Sequence, residues 1–177
     1  MALETPSSAP AVSEIKLFGV DDRDRYYLDI LRVRQSDRRK YCLLTHHDRI
    51  DDMTLSMRFP RKRKEAGVIS IQVPFRGTPY QGKAISVEFL DLHRQPHPNR
   101  EIDVWNFKVD DHDVSFERYS SGHIYTILLP VAELWKFAGD WGISSNMTLQ
   151  GEAHEDLGNM VLMESERGYR ALVDCWR

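Results

Sequence analysis

Cysteine is scarce in this chain: two residues among 177, Cys42 and Cys175. Neither stands at the spacing of a zinc pair or a dithiol motif, so a thiolate metal centre and CxxC redox chemistry are excluded, and a reducing compartment is the expectation. Long apolar runs are missing as well. No stretch approaches the roughly 20 apolar residues of a membrane-spanning helix, so a membrane would be met from one side. The opening MALETPSSAP has neither the basic start nor the apolar core of a secretory signal. Asn146, Met147 and Thr148 spell a glycosylation acceptor, which without a signal reads as chance.

Motifs of catalysis are also lacking. There is no phosphate-cradling glycine loop, nucleophile elbow or zinc-protease helix. Asp91, His93 and His97 approach a metal spacing, but Pro96 and Pro98 flank the second histidine and favour a solvated loop. His46 and His47 point to opposite faces of any strand that carries them. Asp110, Asp111 and Asp113 around His112 lack the glycine and terminal glutamate of a calcium loop. Ser144 and Ser145 have no activating partner nearby in sequence. The expectation is a protein that is not an enzyme and takes no cofactor or metal.

What the chain does have is ordinary globular composition, 41% hydrophobic and 29% charged, with four tryptophans. Its charge is polarised. Fourteen Lys/Arg stand against eight Asp/Glu from Lys16 to Lys64, and six against fourteen from Glu101 to Arg177. Such asymmetry suits contact with an anionic surface or with the oppositely charged part of a neighbouring copy. The strongest single feature is Arg58, Arg61, Lys62, Arg63 and Lys64, between two strand-like segments. These residues are the candidate contact with anionic lipid or a nucleic-acid backbone, and the run also resembles a nuclear-localisation signal. A second cluster, Arg32, Arg34, Arg38, Arg39 and Lys40, lies upstream.

Period-two alternation dominates the rest. Strands are predicted over 26–34, 41–45, 53–59, 68–73, 84–92, 102–109, 114–119 and 123–129, and again in MTLQ, NMVLME and YRALVDCW. One helix is predicted over about 130–139, opened by Pro130, carried by Val131, Leu134, Trp135 and Ala138, and stopped at Gly139. Trp135 is expected in the core and Trp141, beyond the helix, as an exposed interface anchor. The expectation is an α+β, β-rich single domain over 14–177 with a mainly antiparallel sheet, behind a disordered leader over 1–13 rich in Ser, Pro and Ala.

SAP (8–10) followed by FGVDD (18–22), then PFRGTPYQGKAISVEFLDL with VWNF (104–107), WGI (141–143) and the closing YRALVDCWR, together resemble rhabdovirus matrix proteins. The compact length fits a plant-infecting, cytorhabdovirus-like member. PSSAP carries one serine more than the P-[S/T]-A-P budding signal, and PPxY is absent.

The resemblance implies a structural virion protein that self-associates, condenses the nucleoprotein–RNA complex and links it to an anionic envelope membrane, in virion and host cytoplasm. It also implies a homo-oligomer made through the leader, with Ile15, Leu17, Phe18 and Val20 inserting into a neighbour. The same four residues equally suit the first strand of the domain itself. A different expectation is a β-rich nucleic-acid-binding accessory protein, of movement or silencing-suppressor type. It would bind RNA directly through the same arginines, with Tyr26, Tyr27 and Tyr41 as stacking platforms.

Overall fold

The computed structural model describes residues 12–35, 39–62, 64–74, 80, 82–108, 114–119 and 122–177. Eleven strands and two helices follow in the order β1 Val12–Asp22, β2 Tyr26–Gln35, β3 Lys40–Asp48, β4 Met53–Pro60, β5 Gly67–Pro74, β6 Ala84–Leu90, β7 Trp105–Lys108, β8 Val114–Tyr119, β9 Gly122–Leu129, α1 Val131–Gly142, β10 Asn146–Gly151, β11 Asp156–Val161 and α2 Ser165–Trp176. The fold is α+β and β-rich, with every strand pair antiparallel. One sheet has seven strands in the order β1-β2-β3-β4-β5-β9-β8, and the other four in the order β11-β10-β6-β7.

Alternation in the sequence becomes sidedness in the sheet. Leu28, Ile30, Leu44, Leu55, Met57, Phe59, Ile69 and Ile71 are fully buried on one face of the large sheet, while their sequence neighbours, Pro60 excepted, are half-exposed on the other. The small sheet answers with Val87, Phe89, Met147, Leu149 and Met160. The helices complete the inner layer. Leu134 of α1 lies so close to β5 that a Cβ on Gly67 would stand 2.5 Å from its Cδ2. Phe137 packs edge-on against Phe89 and Trp105, with ring centroids 5.0 and 5.3 Å away.

Three expectations are corrected and one open alternative is decided. The segment YRALVDCW, predicted as a strand, is the body of α2. Its buried residues are Ser165, Gly168, Leu172 and Cys175, at helical spacing, and the apolar count along the sequence misses this because one anchor is a glycine. Helix α1 runs past Gly139 to Gly142, since the extra turn buries Trp141. That residue, expected outside, is fully buried, while Trp135 is the half-buried one. The third correction is covalent: Cys42 and Cys175 form a disulfide joining β3 to α2, with Cα atoms 6.2 Å apart across a sequence separation of 133. A persistent disulfide is a mark of oxidising surroundings, so cysteine usage gives no support to a reducing compartment. Residues 15–20, for which the sequence suits either a tether or the first strand, belong to β1, paired with β2 on both sides of a register shift at Leu17, and Val12 and Ser13 of the expected leader join it. Residues 1–11 lie outside the described residues, as do 110–113. No helix among the described residues is long and apolar enough to cross a membrane.

Candidate functional site

Residues directly opposite one another in an antiparallel sheet share a face. Ser13, Arg34 and Lys40 form one such row, and Ile15, Arg32, Cys42 and Phe59 the next. Both rows continue the inner face that α2 covers farther along. Helix α2 ends at Trp176, over the disulfide at Cys42. Beyond that end the inner face turns from Leu28 and Ile30 to exposed Arg32 and Arg34.

The chain closes one wall of this opening by tying the end of α2 to the segment after β4. The Arg61 guanidinium donates to the main-chain oxygens of Trp176, at 3.0 Å, and Arg177. The Trp176 indole N–H donates to the Pro60 carbonyl at 3.4 Å, and Arg32 reaches the Cys175 carbonyl at 3.5 Å. A guanidinium at a helix C-terminus answers both the unpaired carbonyls and the negative end of the helix dipole.

The result is a cleft of about 410 Å³ with Arg32, Arg34, Lys40 and Arg61 in its walls and the disulfide in its floor. It is continuous through Arg34, Lys40 and Arg61 with a recess of about 350 Å³ that adds Arg39, Lys62 and Glu65. Arg34, Lys40 and Lys62 form no ion pair among the described residues. Arg32, Arg34 and Lys40 of one cluster and Arg61 and Lys62 of the other, separated in sequence, therefore converge on one surface, where the charge of Arg34, Lys40 and Lys62 is available to a ligand.

The five residues of the basic run do not act as a unit. Arg61 and Lys62 reach the cleft, and Lys64 is exposed in the turn that follows. Arg63 lies outside the described residues, as does Arg38. Arg58 projects from the opposite face of the sheet, where its guanidinium lies 4.2 Å from the centre of the Tyr41 ring. Of the tyrosines expected to stack on bases, Tyr26 is buried. Tyr27 is half-buried against His47 and Arg49. Tyr41 borders the cleft, but its ring lies on the opposite face of the sheet beneath Arg58.

The assembly residues divide by exposure. Ile15 and Leu17 are 54% and 39% exposed, whereas Phe18 and Val20 pack on the core.

The remaining candidates have local partners. The Asp91 carboxylate accepts from the main-chain N–H groups of His93 and Gln95, both at 2.9 Å, and these bonds hold its pKa below the usual carboxylate value. His97 Nε2 stands 3.0 Å from Ser144 Oγ. The Ser144 hydroxyl donates to the Asp140 carbonyl at 2.5 Å. With that single proton committed, Ser144 receives a hydrogen bond from His97 and the pair ties a loop to the end of α1. Asn146 is buried and donates to the Asp91 carbonyl at 2.8 Å, so its side chain is not presented for glycosylation. His46 is wholly buried with neither ring nitrogen bonded, and burial, with the charge of neighbouring His47 second, lowers its pKa to about 3.

Fold and site together define a two-sheet α+β domain with a basic cleft at one end of its larger sheet. No family model, curated protein or solved structure matches the chain.

Proposed function

We propose that this chain is a matrix-type structural protein that uses its basic cleft to hold a polyanion during virion assembly, either the nucleoprotein–RNA complex or an anionic membrane surface. The observation that carries the reading is the convergence of Arg32, Arg34, Lys40, Arg61 and Lys62 on one open surface. Among the described residues Arg34, Lys40 and Lys62 form no ion pair, and a chain of net charge −3 carries them together at one end of its larger sheet. Each basic residue near an anionic bilayer contributes about 1 kcal/mol, and contact with phosphates releases counterions. Five such residues supply a reversible attachment, which a growing assembly needs.

The experiment is binding of the full chain to phosphatidylserine vesicles, to nucleoprotein–RNA and to naked RNA across a salt series, with R34E/K40E/K62E alongside. Salt-dependent binding to vesicles or nucleoprotein–RNA that the triple variant loses supports the reading. Binding confined to naked RNA replaces it with the RNA-binding alternative. Binding that ignores both salt and the substitutions overturns the cleft as the site.

A further inference from the structure

Strand β1 is the outermost strand of the large sheet, and an edge of that kind presents alternate N–H and C=O groups to whatever can pair with them. Its first part, Val12 to Lys16, is in unbroken register with β2, and the register shifts after Lys16, leaving Leu17 without a partner on β2. The bulge ends the straight part at Lys16. Ile15 lies within that part, 54% exposed, with Glu14 and Lys16 on either side.

We infer that β1 pairs with β1 of a second copy, antiparallel and with Ile15 opposite Ile15, so that two large sheets join into one about a twofold axis. In this register Glu14 of each copy faces Lys16 of the other, twice over. Moving the register by one residue along both copies would set Glu14 against Glu14 or Lys16 against Lys16. Pairs of like parity meet throughout, so outward N–H and C=O groups find each other whichever alternate set points away. The contact is isologous, and it closes at the dimer.

The consequence reaches the cleft. Ser13 and Ile15 form its lip, and a twofold axis perpendicular to the sheet keeps both inner faces on one side. The two clefts then lie across a shared seam, giving a basic surface of twice the length. That last step rests on the polyanion reading above, whereas the pairing does not.

Charge reversal tests it in the full chain. E14K and K16E each place like charges opposite one another twice, and each should weaken dimerisation about tenfold in sedimentation equilibrium. An equimolar mixture of the two single variants should associate as a heterodimer, because lysines of one copy then face glutamates of the other. The double variant E14K/K16E should dimerise more tightly than K16E, which shares its lost ion pair between Lys16 and Asp29. Under oxidation I15C should cross-link to itself and L17C should not.

Thermal melts of each variant report whether the fold is intact. A wild-type chain that stays monomeric at every concentration overturns the pairing. So does association indifferent to the reversals, or a mixture no better than its components. Polyanion binding is read separately on dilute monomer, so loss of pairing with binding intact refutes the pairing alone, and the converse refutes the cleft alone.

Discussion

Arg61 donates to the main-chain oxygen of Trp176 across 3.0 Å and 115 residues of sequence, so the loop after β4 and the end of α2 form one wall of the cleft. Replacing Arg61 by alanine leaves helix-terminal carbonyls unanswered and is expected to cost about 1–2 kcal/mol. Lysine keeps the charge but not the fork, and should recover only part of it. Urea denaturation of R61A and R61K measures both values. Polyanion affinity should fall further in R61A than in K64A, since Lys64 stands in the turn beyond the cleft.

The disulfide between Cys42 and Cys175 closes a long loop, its ends separated by 133 positions in sequence. On the chain-entropy account a loop of this size stabilises by about 4–5 kcal/mol. Reduction, or C42S/C175S, should therefore lower the melting temperature sharply while C42S alone does no more than the pair. Differential scanning calorimetry with and without dithiothreitol reads the effect. The cleft loses its floor in the same step, and weaker polyanion binding by the reduced protein at temperatures where it remains folded is the matching expectation.

The strands were legible because burial on one side writes itself into alternate residues, as in Leu28, Ile30 and Leu44. Helix α2 was not, because Gly168 makes its closest contact without contributing an apolar side chain to count. Neither was the cleft, whose walls come from β2, β3 and the segment after β4. One trace of it does exist along β2: the inner face changes from Leu28 and Ile30 to Arg32 and Arg34 without a change of parity, which marks where the covering helix stops. Of the four apolar residues Ile15, Leu17, Phe18 and Val20, alternation alone does not separate exposed from packed: Ile15 and Leu17 are exposed, whereas Phe18 and Val20 are spent on the domain's own core.

His46 is held neutral in the core, with Tyr26 and Trp141 edge-on at 5.9 and 5.8 Å. Its folded pKa of about 3 lies below the unfolded value of about 6.5. Below pH 6.5 the unfolded chain takes up a proton that the folded one refuses, so this contribution is fully present above 6.5 and lost progressively towards pH 3. H46L removes both the titration and two unpartnered nitrogens. Its stability relative to wild type should rise as pH falls from 7.5 to 5, by denaturant titration at each pH. Equal differences at both pH values would show that His46 is not the group responsible.

Two glycines in helices make opposite predictions from the space around them. A Cβ on Gly168 would stand 2.8 Å from Leu28 Cδ2 and 2.9 Å from Trp141 Cη2, both fully buried, so G168A must push α2 off β2. The expected cost is about 1–3 kcal/mol. A Cβ on Gly139 would meet nothing within 4 Å, in the interior of α1, where alanine restricts the unfolded chain and favours the helix by about 0.5–1 kcal/mol. G139A should therefore be more stable than wild type and G168A less. Because α2 carries Cys175 and the oxygens that bind Arg61, G168A should also loosen the cleft, while G139A leaves polyanion binding unchanged. A destabilised G168A that binds as well as wild type would mean the cleft depends on the disulfide and β2–β3 alone, and that the seating of the helix does not set its shape.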